Sequence, residues 1–117
     1  MLLAVGKHAL GDLGPRGARI ATGLAGGVGN SQQEMCGALS SGVLIIGALF
    51  GRERLDEDEQ PALDLAACYR ERFLAQFGAT QCAQLRQIVQ SPGSLGSCAL
   101  VVEQAALILL RLLAEAE

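Results

Sequence analysis

The sequence has no tryptophan, one tyrosine (Tyr69), one histidine (His8) and three phenylalanines in 117 residues. So few rings leave little surface on which bases or sugars could stack. A single histidine excludes a His-rich metal cage and any catalytic triad not built on His8 itself. His8 follows Lys7 on a short terminal segment and reads as a surface residue rather than a base. Basic residues are scarce as well, nine Lys and Arg against twelve Asp and Glu, for a net charge of -3. None of them forms a run, and phosphate tracking needs clustered cations, so nucleic acid is not an expected partner. The apolar opening Leu2 to Val5 lacks the basic flank, long apolar stretch and cleavage site of a secretory signal, which predicts a cytoplasmic protein.

What is present in quantity is small and apolar: half the residues are hydrophobic, fifteen are glycine and four are cysteine. The length is that of a single domain over residues 1–117, large enough to bury a core without metal or disulfide staples. The chain opens inside an apolar segment, which predicts an upstream portion that it does not contain.

The pattern is all helical and predicts a compact bundle of about five helices around a central apolar, Gly/Ala-rich one. A short helix over 2–10 is closed by Gly11, and Pro15 opens a second that dissolves near Gly23. Ser31-Gln32-Gln33-Glu34 has the form of a capping box and predicts a third helix running from Ser31 to Phe50, with Gly51 as its stop. Residues 35–51 carry no charge, but Ser40, Ser41 and internal glycines favour a buried helix over a membrane span. Arg52 to Glu59 reads as a solvated charged turn, without the glycine-spaced pattern of a calcium loop. A fourth helix runs from Pro61 to Phe77 with Gly78 as cap, its apolar stripe formed by Ala62, Leu65, Ala66, Tyr69, Phe73 and Phe77. Thr80 caps a short helix from Gln81 to about Gln90, broken at Ser91-Pro92-Gly93. The last follows Ser97 toward Glu115, with Val102, Ala105, Leu109, Leu113 and also Cys98 on its apolar side. So much alanine and glycine lets helices approach closely.

The cysteine spacing contains no CxxC pair and no zinc-finger pattern. Position is more informative. Cys82 falls in the first turn after Thr80, Cys98 directly follows Ser97, and Cys36 lies in the second turn after Ser31. The partial positive charge at a helix start favours a thiolate and fades beyond the first turn, which makes Cys82 and Cys98 the better thiolate candidates and Cys36 a packed partner. Against this stands the common role of cysteine as a small buried hydrophobe. The glycines from Gly23 to Gly29 do not make a phosphate loop: no Lys-Ser/Thr pair follows, no strand precedes, and Gln32 stands where GxGxxG needs its last glycine. They read as a tight backbone passage that leaves room beside Cys36 and could offer amides to an anion.

The run Ala21-Thr22-Gly23-Leu24-Ala25-Gly26-Gly27-Val28-Gly29, then Glu34-Met35-Cys36-Gly37-Ala38 leading into a helix that ends Gly47-Ala48-Leu49-Phe50-Gly51-Arg52, resembles the redox-active protein family named for its cysteine pattern, C_GCAxxG_C_C. Phe73, Phe77 to Cys82, Leu85 and Cys98 fit it too, so the similarity runs from about Leu2 to Leu113. The resemblance implies thiol or metal-linked redox chemistry and places Cys36, Cys82 and Cys98 at three of the four characteristic positions. The fourth, near the N-terminus, has no counterpart, and Cys68 does not stand in its place. After Cys36-Gly37-Ala38 the pattern's glycine position falls on Ser41, with Gly42 one residue later.

The resemblance thus implies a redox protein in which two of Cys36, Cys82 and Cys98 cycle between dithiol and disulfide. Cys82 or Cys98 would attack and Cys36 resolve, in exchange with a redox partner protein. The alternatives are a metal or iron-sulfur module using the same three thiols, one ligand short of a four-thiolate site, and a non-catalytic helical interaction protein. In that last reading the cysteines pack and the apolar third helix is the seam of a homodimer.

Overall fold

The computed structural model describes residues 1–93 and 96–116, with backbone alone at Leu3. It is all helical. A π-helical turn, Leu2–Gly6, runs directly into α1 (Lys7–Leu10), and the two together form the expected first helix, ended by Gly11 at φ 80°. Then come α2 (Gly14–Arg19), with Pro15 in its first turn, and a single 3-10 turn, Thr22–Leu24. The longer helices are α3 (Gly37–Phe50), α4 (Gln60–Phe77), α5 (Cys82–Gln90) and α6 (Cys98–Ala116). Among the described residues these make six α-helices rather than about five, two of them no longer than six residues.

The helix ends follow from local chemistry. Gly51 receives the close of α3, and Gly78 ends α4 in the left-handed region at φ 86°, its amide bonded to the Leu74 carbonyl. Residues 51–59 between α3 and α4 are exposed, as a charged turn should be. At the start of α6 the Ser97 hydroxyl accepts the Leu100 amide at 3.3 Å, satisfying one of the open donors of the first turn.

Two helix starts differ from the sequence reading. Instead of beginning at Ser31, α3 begins at Gly37 with Cys36 as its N-cap. The cap of α5 is Gln81, not Thr80. The cause of both is one tertiary contact. Met35 and Gln81 form an isolated antiparallel bridge. Around it the Cys36 amide donates to Thr80 O at 2.8 Å, Cys82 to Glu34 O at 2.9 Å and Ala83 to Gln32 O at 3.0 Å. These bonds keep residues 32–36 out of a helix, so the Ser31 hydroxyl serves the preceding loop, donating to Gly27 O at 2.9 Å and accepting the Gln33 amide at 3.3 Å.

The core lies where α3 crosses α4 and α6, with the N-terminal turn packed on α3. Tyr69, Phe73, Ile45, Ile46, Leu109 and Val101 are its most deeply buried large side chains; each contributes on the order of 1.5–3 kcal/mol through removal from water. The aromatic stripe of α4 packs edge to face, Phe73 against Phe77 at 4.6 Å between ring centres. Tyr69, buried by this packing, donates its hydroxyl to the Ala38 carbonyl at 3.0 Å, which ties α4 to the first turn of α3. Gly42 lies one turn further on. A β-carbon there would fall on the Tyr69 ring and 2.7 Å from its hydroxyl. The close helix contact is therefore made at Gly42.

Candidate functional site

The bridge between Met35 and Gln81 decides where two of the thiols go. Side chains alternate along extended backbone, so the residues one step beyond the paired position, Cys36 on one segment and Cys82 on the other, share a face opposite to Met35 and Gln81. They are diagonal neighbours, a relation that places α-carbons roughly 7–8 Å apart in sheets. Cys36 is half-buried and Cys82 is 7% exposed.

Cys98 reaches the same place from α6. A cavity of about 410 Å³ is lined by all three thiols, by Ser41, Leu85 and Val101, and by backbone of the glycine loop at Gly26 and of Gly37. The three cysteines that the sequence singled out are therefore brought together, each at a helix start: Cys36 is the N-cap of α3, and Cys82 and Cys98 are the first residues of α5 and α6. Cys98 was expected on an apolar, packed side. It is exposed, at the cavity wall, because α6 buries its apolar face only from Val101 onward. Cys68 does not line the cavity; it sits on α4 beside Arg72, whose guanidinium pairs with Glu115 of α6 at 2.6 Å.

The electrostatics of Cys36 show which effect dominates. Burial raises its pKa above the ordinary 9.0; the Ala38 and Leu39 amides at the open end of α3 pull it down, and negative charge on Cys82 or Cys98 would push it up further. Desolvation wins over the helix terminus, so Cys36 holds its proton at neutral pH. Burial raises the pKa of Tyr69 as well, with a smaller contribution from Cys36.

The glycine loop is held against this site by left-handed backbone. Gly26, Gly27, Val28, Gly29 and Asn30 are consecutive at φ between 59° and 65°, and Gln32 is at 63°. For a β-branched residue such as Val28 this conformation is costly, a strain of the kind that surrounding structure must impose. The room that Gly27 leaves is beside Cys82 rather than Cys36. A β-carbon at Gly27 would stand 2.5 Å from Cys82 Cβ and 2.9 Å from Glu34 O.

Arg86 escaped the sequence reading. It lines the cavity one helical turn after Cys82, and its Nε is buried without a hydrogen-bond partner among the described residues. The signal was present in the spacing, since residues four apart share a helix face.

A family model described as "Putative redox-active protein (C_GCAxxG_C_C)" matches residues 1–112. The chain belongs to this family. No curated protein and no solved structure matches it. In this C_GCAxxG_C_C protein Cys36, Gly37 and Ala38 build the cap and first turn of α3, and Cys82 and Cys98 open α5 and α6. All four cysteines are free thiols. Among the described residues no group of three His, Cys, Asp or Glu side chains is placed to hold a metal ion, so the thiols do not fit a metal or cluster site as they stand. Among the same residues no helix is long and apolar enough to cross a membrane.

Proposed function

We propose that this protein is a thiol-disulfide exchange protein in which Cys98 attacks and Cys36 resolves. The observation that carries the reading is the convergence of Cys36, Cys82 and Cys98 on one cavity from three separate helix starts. Exchange needs access for the first attack, and Cys98 is the exposed member of the three. The Cys98 thiolate attacks one sulfur of a disulfide substrate, forming a mixed disulfide and releasing one thiolate. Cys36 gives up its proton to solvent and attacks the Cys98 sulfur, releasing the second thiolate and leaving a Cys36–Cys98 disulfide. The substrate gains two electrons and the protein loses them; a reducing partner protein reverses the change. Cys82 is too buried for the first attack. A cytoplasmic setting, where thiols are kept reduced, suits such a cycle.

Equilibration in glutathione redox buffers followed by peptide mapping tests the assignment. Cys98→Ser should lose oxidation, Cys36→Ser should stop at a glutathione adduct on Cys98, and Cys68→Ser should behave as the parent. Full intramolecular disulfide formation in Cys98→Ser would refute it.

A further inference from the structure

Resting on that reading, we infer that the three-cysteine cavity is an anion receptor anchored by Arg86, and that the disulfide exchanged at Cys98 is a small one carrying a carboxylate. Four observations converge. The Arg86 Nε–H is buried in the described structure with no acceptor, and buried donors almost always have one. No carboxylate lines the cavity, and no acidic side chain pairs with Arg86 among the described residues. Three helix starts open on the same space and turn the positive ends of their dipoles toward it. The volume of about 410 Å³ suits a small molecule, and most of the remaining wall is small or apolar, with Thr22 and Ser41 as its uncharged polar side chains.

The placement fits the chemistry. Arg86 lies one turn along α5 from Cys82, on the same wall as the cysteines, so a carboxylate held by the guanidinium leaves the rest of the molecule beside Cys98. The bonds made and broken are those of the exchange above, with the carboxylate-bearing disulfide as oxidant, reduced to two thiols.

Charge on the oxidant is the test. Reduced protein is mixed with 3,3'-dithiodipropionate, neutral 2-hydroxyethyl disulfide and cationic cystamine, and the rate of mixed-disulfide formation at Cys98 is measured. A thiolate in a protein of net charge -3 should by itself disfavour the anion. The anchored site should reverse that order and prefer dithiodipropionate by about tenfold or more, the scale of one charge-assisted hydrogen bond. Arg86→Gln should collapse the preference and Arg86→Lys should keep part of it, both melting near the parent temperature. In parallel, adipate, which has no sulfur, should slow alkylation of Cys98 in the parent and not in Arg86→Gln, while neutral adipamide should do nothing. Equal rates for the three disulfides with no protection by adipate would overturn the anion site and leave the exchange reading intact. Protection by adipate without exchange with any of the disulfides would instead overturn the exchange reading beneath it.

Discussion

Replacing Gly27 by alanine tests the contact that holds the glycine loop against the thiols. Two costs add at this position. The φ of 65° charges any L side chain about 1–2 kcal/mol. The new β-carbon would also stand 2.5 Å from Cys82 Cβ and 2.9 Å from Glu34 O; neither is the far end of a flexible side chain, and overpacking of this kind costs about 1–3 kcal/mol. Gly29 supplies the control. It has the same backbone, at φ 59°, and open space where a β-carbon would go. Gly29→Ala should therefore lose only about 1–2 kcal/mol, and Gly27→Ala about 2–5 kcal/mol. Urea unfolding under reducing conditions, with the slope unchanged between variants, gives both values. A second readout is chemical: with the loop forced outward, Cys82 should alkylate faster in Gly27→Ala than in Gly29→Ala. Equal stability losses, with Cys82 equally protected in both, would refute the packing of the loop on that cysteine.

The same logic applies within α3, where Gly42→Ala should lose roughly 1–3 kcal/mol by displacing the buried Tyr69 ring. Gly47→Ala, with nothing near its β-carbon, should gain up to about 1 kcal/mol from helix propensity. Thermal melting of the pair checks this, and an increase for Gly42→Ala would contradict the contact. Alkali should also destabilise the fold in a defined window. Burial raises the folded pKa of Cys36 above its ordinary 9.0, so the unfolded chain ionises first; stability is complete below pH 9 and falls as pH rises through that value toward the folded one. Tyr69 acts in the same direction from its ordinary value of 10.0. The melting temperature should hold from pH 7 to 8 as far as these groups are concerned and decline above about 9, less steeply in Cys36→Ser. Parallel curves for parent and variant would sink the assignment.

The sequence made helix ends legible wherever one residue decides them. Gly11, Gly51 and Gly78 close helices because each does so locally, and the spacing of Tyr69, Phe73 and Phe77 identifies the buried face of α4 because helical period alone sets it. It failed where distant main chain competes with a local signal. Ser31 and Glu34 have capping-box spacing, but Glu34 O is taken by the Cys82 amide and Glu34 N by Gly27 O at 3.4 Å, so no helix can start there. Thr80 likewise gives its carbonyl to Cys36. Which three cysteines meet at the cavity follows their order in the chain's resemblance to the family; their accessibility was not legible, since Cys82 turned inward and Cys98 outward according to packing that no window of sequence contains. Arg86 shows the same limit in reverse, an ordinary cation on a short helix until the cavity beside it is seen.

The bridge at Met35 and Gln81 also bears on the order in which the molecule assembles. The segments it joins are far apart in the chain; the contact from Gln81 Nε2 to Gln33 O at 2.7 Å spans 48 positions. Helix α4, whose backbone hydrogen bonds are local, lies between them and can form on its own timescale, whereas closing the bridge must wait for a long loop to shut. The thiols are thus gathered by one of the least local contacts in the fold. A chain that has collapsed but not yet closed this clasp carries its cysteines on separate segments, so the cluster of three thiols comes into being only with the native state.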